Sequence, residues 1–328
     1  MVAWAMSQLS ARFPDVVMKS WGKEAKPNRV HPRTRPMNIR RGSSEDAKSC
    51  QTVMWASVTD FAARRGMPLE GTAEVWWASG GAMQSLLAKH AAEWWVAEDG
   101  GEIIGYARSI EREGLLELTE FFVVPGKQAR GVGKALLDRA FPVTRGEVRS
   151  IIATTDSRAL ARYYAADTSA QFPMFTLVGA PKHAEHAVAA RVIDVGRDGA
   201  FVAAIERETL GFARGDDELR FLLEEREGWI YSRGDAPIAF GFVGARGSGP
   251  IATLDPQDMP DVLSHVESRA AALGVVELEL QLPGPNERGV RHLLHRGFHI
   301  DPWVNLLMSN RAFGRFDRVV PFGPPVFL

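Results

Sequence analysis

The sequence predicts an α/β protein of two tandem domains, each with a mixed, mostly antiparallel sheet flanked by helices. The chain has 328 residues, which corresponds to about two domains at ~150 residues each. In the first half, the spacing of apolar residues changes from helical to alternating and back, as is typical of strands packed against helices. The second half repeats this order more weakly, which indicates an internal duplication.

The first half is predicted to begin with a strand at Met37–Arg41, followed by a helix that starts near Ser44 and another over about 73–92. Three strands then follow in succession, at 94–97, 103–110 and 115–124. Their spacing predicts an antiparallel meander. After Pro125, an amphipathic helix and a strand at 151–155 predict a parallel crossover.

The second half has the same order, with strands at 229–231, 238–243 and 251–254, a helix over 258–273 and a strand at 275–282. The interval from the proline after the third strand to the polar residue that opens the last helix is 31 positions in the first half and 30 in the second. We therefore expect a first domain at 37–180, a linker at 181–205 and a second domain at 206–328.

Composition and charge exclude several functional classes. The 39 Lys and Arg residues balance 40 Asp and Glu residues, which is not the charge distribution of a dedicated nucleic-acid binder. One cysteine cannot form an internal disulfide, and no apolar run reaches ~20 residues. We expect a cytoplasmic protein with no membrane partner and a flexible basic tail at residues 1–36. A nucleic-acid partner is disfavoured, and binding of nucleic acid through this tail is the alternative.

A glycine-containing turn lies between the third strand and the following helix, at residues 125–133. Such a turn exposes successive backbone N–H groups, and the helix dipole adds to their attraction for an anion such as a diphosphate. A dinucleotide-binding loop requires a third glycine where Leu136 stands, and a P-loop requires glycine at Gln128. Both alternatives are excluded.

The pattern Gln-x-x-Gly-x-Gly at 128–133, after a strand that ends in Val-Val-Pro, resembles the acyl-CoA loop of the GCN5-related N-acetyltransferase (GNAT) superfamily. The predicted order of helices and strands is also similar to that of this family. The segment 156–163 resembles the family's Asn-x-x-Ala-x-x-x-Tyr pattern, with Asp156 in place of Asn. The resemblance covers residues 37 to 180.

The resemblance implies an acyl-CoA-dependent N-acetyltransferase that uses acetyl-CoA as co-substrate, needs no metal and acts on a small amine by direct transfer in a ternary complex. It implies that the third strand and the crossover strand splay apart to admit the pantetheine arm. The residues implied in cofactor binding are Phe122, Val123, Val124, Gln128, Ala129, Arg130, Gly131, Val132, Gly133, Lys134, Asp156 and Ala159. A protein that binds acetyl-CoA as a sensor without turnover is the alternative.

Two pairs of residues are candidates for proton transfer. Acetyl transfer to an amine needs a base that takes a proton from the ammonium. Glu117 lies fourteen positions before Gly131, the spacing of the base in histone-type members of the family, whereas Glu120 is nearer the thioester and is predicted on the opposite strand face. Tyr163, or its neighbour Tyr164, matches the family's general acid for the leaving thiolate.

The second half resembles a degenerate copy of the same fold. In place of the glycine loop it has residues 256–261, which contain no glycine and two acids, Asp258 and Asp261. Negative charge there disfavours phosphates. We expect this domain to serve structure, dimerisation or the shaping of the acceptor cleft.

Three other groups of residues are predicted to be structural. Cys50, on an apolar helix face, is expected to be an inert core thiol. Three histidines near the end of the chain lack a fourth metal ligand. The tryptophan pairs at 76–77 and 94–95 fit core positions better than an acceptor cleft.

Overall fold

The computed structural model describes residues 38–128, 131–245 and 247–322. The predicted basic tail and Met37 lie outside these residues. Within them, no helix is both long enough and apolar enough to cross a bilayer.

The first half contains the predicted strands and helices in the predicted order. Its strands are β1 (Asn38–Arg41), β2 (Ala91–Asp99), β3 (Glu102–Arg112), β4 (Leu115–Val123), β5 (Val148–Thr154) and β6 (Ser169–Gly179). Its helices are α1 (Ala47–Arg64), α2 (Ala73–Lys89), α3 (Val132–Ala140) and α4 (Ser157–Ala165). Ser43 opens the first helical segment through a capping box with Asp46, whose Oδ2 accepts from the Ser43 N–H at 2.7 Å.

The second half repeats this order of strands and helices and ends with two further strands. Its strands are β7 (Ala189–Val192), β8 (Glu227–Arg233), β9 (Ala236–Val243), β10 (Ile251–Thr253), β11 (Leu278–Pro283), β12 (His299–Ile300), β13 (Asn305–Ser309) and β14 (Val319–Val320). Its helices are α5 (Val195–Leu210), α6 (Asp216–Glu225), α7 (Met259–Ala272) and α8 (Glu287–His295). Residues 181–205, predicted as a linker, contain β7 and the start of α5.

The two halves share one large sheet, which the sequence did not reveal. Its strands follow the order β1-β2-β3-β4-β5-β13-β6-β11, with β12 paired to β6. Strand β13 from the second half lies between β5 and β6 of the first, antiparallel to both. A second sheet has the order β14-β10-β9-β8-β7. Each half is therefore completed by strands from the other.

The predicted parallel crossover is confirmed in the first half only. Strands β4 and β5 pair in parallel, whereas β10 and β11, their counterparts, belong to different sheets. Strand β11 instead pairs antiparallel with β6. The prediction of a crossover pair in the second half is wrong, because β14 pairs with β10 and lies against the other side of β11.

Helices cover both faces of the first half of the large sheet. Residues of α1 and α2 share one apolar cluster with Trp94, Val96 and Tyr106 of the sheet. Helices α3 and α4 share another cluster on the opposite face with Leu116 and Leu118 of β4. Strand β4 therefore has one face toward α1 and α2 and one toward α3 and α4.

Candidate active site

Strands β4 and β5 lie side by side at one end only. Residues 115–117 pair in parallel with residues 148–150. No pairing between these two strands continues past this point in the described chain, although β4 extends to Val123 and β5 to Thr154. The strands therefore splay apart, and main-chain groups of β4 face a gap.

The main chain of Val123 is directed toward this gap. The Val124 N–H donates to the carbonyl of Ile104 in β3 at 2.9 Å, and successive residues of a strand direct their main-chain groups to alternate sides. The Val123 carbonyl accepts from Nε2 of Gln128 at 3.2 Å. The main-chain groups of Phe122 and Val124, two other residues implied in cofactor binding, face β3.

Two glycines in the left-handed region shape the loop that joins β4 to α3. Gly126 and Gly131 have φ values of 84° and 75°, which residues with a Cβ rarely adopt. Gly131 is the N-cap of α3, so the N–H groups of Val132, Gly133 and Lys134 have no carbonyl partner within the helix. Together with the helix dipole they form a site for an anion.

Gly133 stands where a side chain would meet two neighbours. A Cβ at this position would lie 3.2 Å from the ring of Phe121 and from the guanidinium of Arg162. The guanidinium adds positive charge beside the N-terminus of α3. These groups fit a diphosphate. The other predicted loop residues, Ala129 and Arg130, lie outside the described part of the chain.

The remaining predicted loop side chains have partners within the protein. Oε1 of Gln128 accepts from Arg158 Nη1 at 2.6 Å. The exposed Lys134 Nζ lies 2.6 Å from Asp138 Oδ2, a surface pair of little strength. The Val132 side chain is buried in the core, so only its main chain is available to a ligand.

Asp156 caps α4 and binds two arginines. Its Oδ1 accepts from the Arg158 N–H at 2.9 Å, and its Oδ2 lies 2.7 Å from Arg158 Nη2 and 3.0 Å from Arg64 Nη2. Burial by itself would raise the pKa of Asp156, but the hydrogen bonds from Arg158 and Arg64 hold it well below its usual range. Ala159, the other predicted residue of this helix, packs against the core.

A bulge in β4 brings the two candidate glutamates to one face of the sheet. Arg108 pairs with Glu120, but the next residue of β3, Ser109, pairs with Leu118, so Thr119 is an extra residue in β4. In a regular strand, Glu117 and Glu120 would face opposite sides. The extra residue turns both toward α2, and the prediction of opposite faces is wrong.

Glu120 is the centre of a buried polar cluster. Its Oε1 accepts from Gln84 Nε2 at 2.6 Å and from the Tyr106 hydroxyl at 2.9 Å. Its Oε2 lies 3.4 Å from Arg108 Nε and accepts no hydrogen bond from the described residues. The Arg108 guanidinium also lies 4.0 Å from the ring of Trp94. Burial raises the pKa of Tyr106 well above its usual value, so this phenol stays a donor.

The sequence analysis missed Gln84, Tyr106 and Arg108 as residues of this site. One signal was present, since Tyr106 and Arg108 are two residues apart and therefore share a face of β3. An arginine within a strand that is apolar on both faces needs an acidic partner. Gln84 belongs to α2, and only the packing of that helix brings it to the cluster.

Glu117 takes part in a contact between the two halves. Its Oε2 lies 3.4 Å from Arg112 Nη1. The same guanidinium lies 2.5 Å from Oε1 of Glu218 in α6. All three side chains are buried. Glu117 therefore shares a cation with a carboxylate of the second half.

Of the two candidate tyrosines, Tyr163 faces the core and Tyr164 faces solvent. The ring of Tyr163 is 6.0 Å from that of Phe121 in an edge-on arrangement. Burial raises the pKa of the Tyr163 phenol above its usual value. The side chain of Tyr164 is 56% exposed. Only Tyr163 lies among the residues beside the gap.

The segment that contains these features also matches a known family. Residues 90–166, from the start of β2 to just past the end of α4, match the model of the acetyltransferase (GNAT) domain. The chain carries a GNAT domain. Domains of this family use acetyl-CoA, and the match covers the segment 90–166. No curated protein matches the sequence.

Solved structures of GNAT proteins share the fold over most of the chain. A Pyrococcus horikoshii protein, provisionally named an acetyltransferase, is 13% identical with a TM-score of 0.67, over 93% of this chain and 99% of its own. A GCN5-related N-acetyltransferase from Sphaerobacter thermophilus is 16% identical with a TM-score of 0.58, over 83% and 95%. At such low identities the likeness shows the fold alone.

Cys50 and the tryptophans predicted to be structural lie in the core or at its edge. Cys50 is buried in the first half, and burial raises the pKa of its thiol to about 12. Trp76 and Trp94 are also buried. No group of three or more His, Cys, Asp or Glu side chains within the described ranges is arranged to hold a metal ion.

Proposed function

We propose that this chain acetylates a small amine with acetyl-CoA by direct transfer within a ternary complex. The observation that carries the proposal is the gap between β4 and β5, which opens beside the glycine loop and the N-terminus of α3. A gap lined by main-chain groups accommodates an extended arm, and a helix N-terminus accommodates a diphosphate.

The chain offers distinct groups to each part of acetyl-CoA, which when bound supplies an activated acetyl thioester. The N–H groups of Val132, Gly133 and Lys134 are suited to the diphosphate, with the Arg162 guanidinium nearby. The main chain of Val123 is suited to an amide of the pantetheine arm. Gln128 bonds to the Val123 carbonyl, so we expect Gln128 to move aside when the arm binds.

Glu120 is the group best suited to act as general base. Its Oε2 has a lone pair that accepts no hydrogen bond from the described residues, while Gln84 and Tyr106 hold Oε1. The Arg108 cation compensates the buried charge of the carboxylate. Glu117 is less suited, because its carboxylate binds the Arg112 guanidinium that also joins Glu218.

Tyr163 is suited to protonate the leaving thiolate. Its raised pKa keeps the phenol protonated at neutral pH, as a general acid requires. The phenol lies on the α3 and α4 face of the sheet, whereas Glu120 lies on the α1 and α2 face. The Tyr163 acid and the Glu120 base therefore lie on opposite faces of the sheet. A thioester that reacts in the gap would have the acid on one side and the base on the other.

Direct transfer is favoured because the one cysteine is unsuited to form an acyl-enzyme. Cys50 is buried, and its raised pKa keeps the thiol protonated, whereas the thiolate is the nucleophile. The acceptor amine itself is therefore expected to attack the thioester. Gln84 covers Glu120, so binding of the acceptor requires α2 to move.

The test is calorimetric titration of acetyl-CoA together with CoA release over a panel of amines. Gly131→Glu/Gly133→Glu places two acids at the anion site, and we expect it to abolish binding and turnover. The control for Gly131→Glu is Gly274→Glu in the second half, because Gly274 has a φ of 73° and, like Gly131, surroundings with room for a side chain. No binding by the unmodified chain, or unchanged binding by the double variant, would contradict the proposal.

The two tyrosines separate catalysis from binding without turnover. We expect Tyr163→Phe to lower kcat about 10- to 100-fold at unchanged acetyl-CoA affinity, since general acid catalysis contributes at least this much. Tyr164→Phe should leave both unchanged, because that side chain faces solvent. Binding of acetyl-CoA with no CoA release from any amine would favour the sensor alternative.

A further inference from the structure

We propose that β14 occupies the second cleft, between β10 and β11, in the place that the pantetheine arm takes in the first. The chain would then bind one acetyl-CoA and not two. The inference rests on the proposed function of the first cleft, but its structural part can be tested without any ligand.

Strand β14 lies in the position of an inserted strand. It pairs antiparallel with β10, with Ile251 opposite Val320 and Ala252 opposite Val319. On its other side it lies against β11. In the first half, the corresponding strands β4 and β5 diverge with no strand between them. The second cleft is therefore occupied by the chain itself.

The main-chain group that would meet a ligand in the second cleft is already bonded. The Leu254 N–H donates to Ile238 of the neighbouring strand at 2.9 Å, as the Val124 N–H does to Ile104. Thr253 therefore corresponds to Val123, the residue whose main chain faces the first gap. The Thr253 N–H donates to the Arg318 carbonyl at 3.0 Å, so the segment leading into β14 satisfies it.

Asn286 holds β14 from the opposite side. This residue caps α8, and its Oδ1 accepts from the Gly289 N–H at 3.0 Å. Its Nδ2 donates to the Val319 carbonyl at 3.0 Å. Asn286 corresponds to Asp156 of the first half, and it is the residue type that the family pattern has there. A backbone amide of β14 thus takes the place of an amide of the pantetheine arm.

Burial and charge both disfavour exchange of β14 for a ligand. Val319 and Val320 are 2% and 0% exposed, so removing the strand would uncover apolar core. The turn before α7 begins with Asp255 as its N-cap and carries Asp258, in place of the glycine loop. The Asp255 carboxylate accepts from the Gln257 N–H at 2.8 Å and so occupies a group that a diphosphate would need, while Asp258 pairs with Arg233.

The first test counts acetyl-CoA sites by calorimetry on the full chain. We expect one molecule per unmodified chain and none on Gly131→Glu/Gly133→Glu. Two molecules per chain, or residual binding by the double variant, would overturn the inference. Absence of binding to the unmodified chain would instead refute the proposed function, and the second test then decides the structural part.

The second test measures hydrogen exchange of the amides of the segment 318–321, which are those of residues 318–320 because residue 321 is proline. We expect strong protection, about 100-fold or more over an unfolded peptide, unchanged by saturating acetyl-CoA. Asn286→Asp keeps the α8 cap but removes the donor to Val319, and should raise exchange in this segment about tenfold. Fast exchange in the unmodified chain, or loss of protection on adding acetyl-CoA, would overturn the inference.

The control for Asn286→Asp is Asn310→Asp. Asn310 also donates from Nδ2 to a main-chain carbonyl, that of Glu147, at 3.3 Å, but it lies on the first-half side of the large sheet. Exchange of residues 318–321 should be unchanged in this variant. An equal rise in both variants would mean that the effect is global, which contradicts a specific role for Asn286.

Discussion

The two clefts of this molecule begin from the same order of strands and helices and end in opposite states. Between β4 and β5 the strands diverge, and the main chain of Val123 faces a gap. Between β10 and β11 the space is taken by β14. An anion site with free N–H groups accompanies the open cleft, and an acid-capped turn accompanies the filled one.

This difference teaches that the glycine loop and the open gap go together. A duplicated fold keeps its packing if the gap is filled by its own chain, because a short strand supplies the same hydrogen bonds as an extended ligand. The domain that keeps the gap must leave main-chain groups without strand partners. In the first half, Gln128 satisfies one of them by a side chain that can move away.

The largest expected effect is on catalysis in the open cleft. Glu120→Gln should lower kcat by about 10²–10⁴, the contribution of a general base, with acetyl-CoA affinity unchanged. Glu117→Gln is the matched comparison on the same strand face and should change kcat less than tenfold. Steady-state CoA release and calorimetry measure both. The assignment fails if Glu117→Gln has the larger effect on kcat.

The next effect concerns the contact between the halves. Arg112→Ala leaves Glu117 and Glu218 buried without their shared cation, and loss of one partner of a buried pair costs about 3–5 kcal/mol of stability. Arg207 also joins the halves, through Glu113, but it is exposed, so Arg207→Ala should change stability little. Urea denaturation compares the two. Equal urea midpoints for Arg112→Ala and Arg207→Ala would show that the buried cluster of Glu117, Arg112 and Glu218 does not couple the halves.

The smallest effect is a pH dependence of the second half. Burial lowers the pKa of His265 from 6.5 to about 4, so the folded state holds it neutral. Above about pH 6.5, His265 is neutral in both states and does not lower the free energy of unfolding. As the pH falls from 6.5 toward 4, the unfolded chain binds a proton at His265 that the folded chain does not, so the free energy of unfolding falls. His265→Gln should reduce the loss of stability between pH 7 and 4 by about 1–3 kcal/mol. An equal fall in the free energy of unfolding with pH for the unmodified chain and for His265→Gln would contradict this prediction.

Local patterns predicted the elements well. The alternation of apolar residues located β2, β3 and β4, and the segment Ser43–Asp46 marked the start of the first helical segment through its capping box. The glycine pattern at 128–133 led to the anion site at α3, because left-handed backbone and a free helix N-terminus are local properties. Strand β7, which lies within the predicted linker at 181–205, was not indicated because its four residues are too few to show a period.

Side-chain clusters were less predictable. The relative orientation of Glu117 and Glu120 depends on one extra residue at Thr119, and a bulge leaves no period in the sequence. The surroundings of Glu120 depend on Gln84, which is 36 positions away in the chain. Arg112 is 106 positions from its partner Glu218.

The sequence by itself determined the order of most strands and helices and the glycine loop, because each depends on residues close together in the chain. Only the tertiary structure decided which strands share a sheet, which face each glutamate takes and what fills each cleft. Strand exchange between the halves and the position of β14 are pairings between distant segments. Their free energy comes from contacts that no local pattern records.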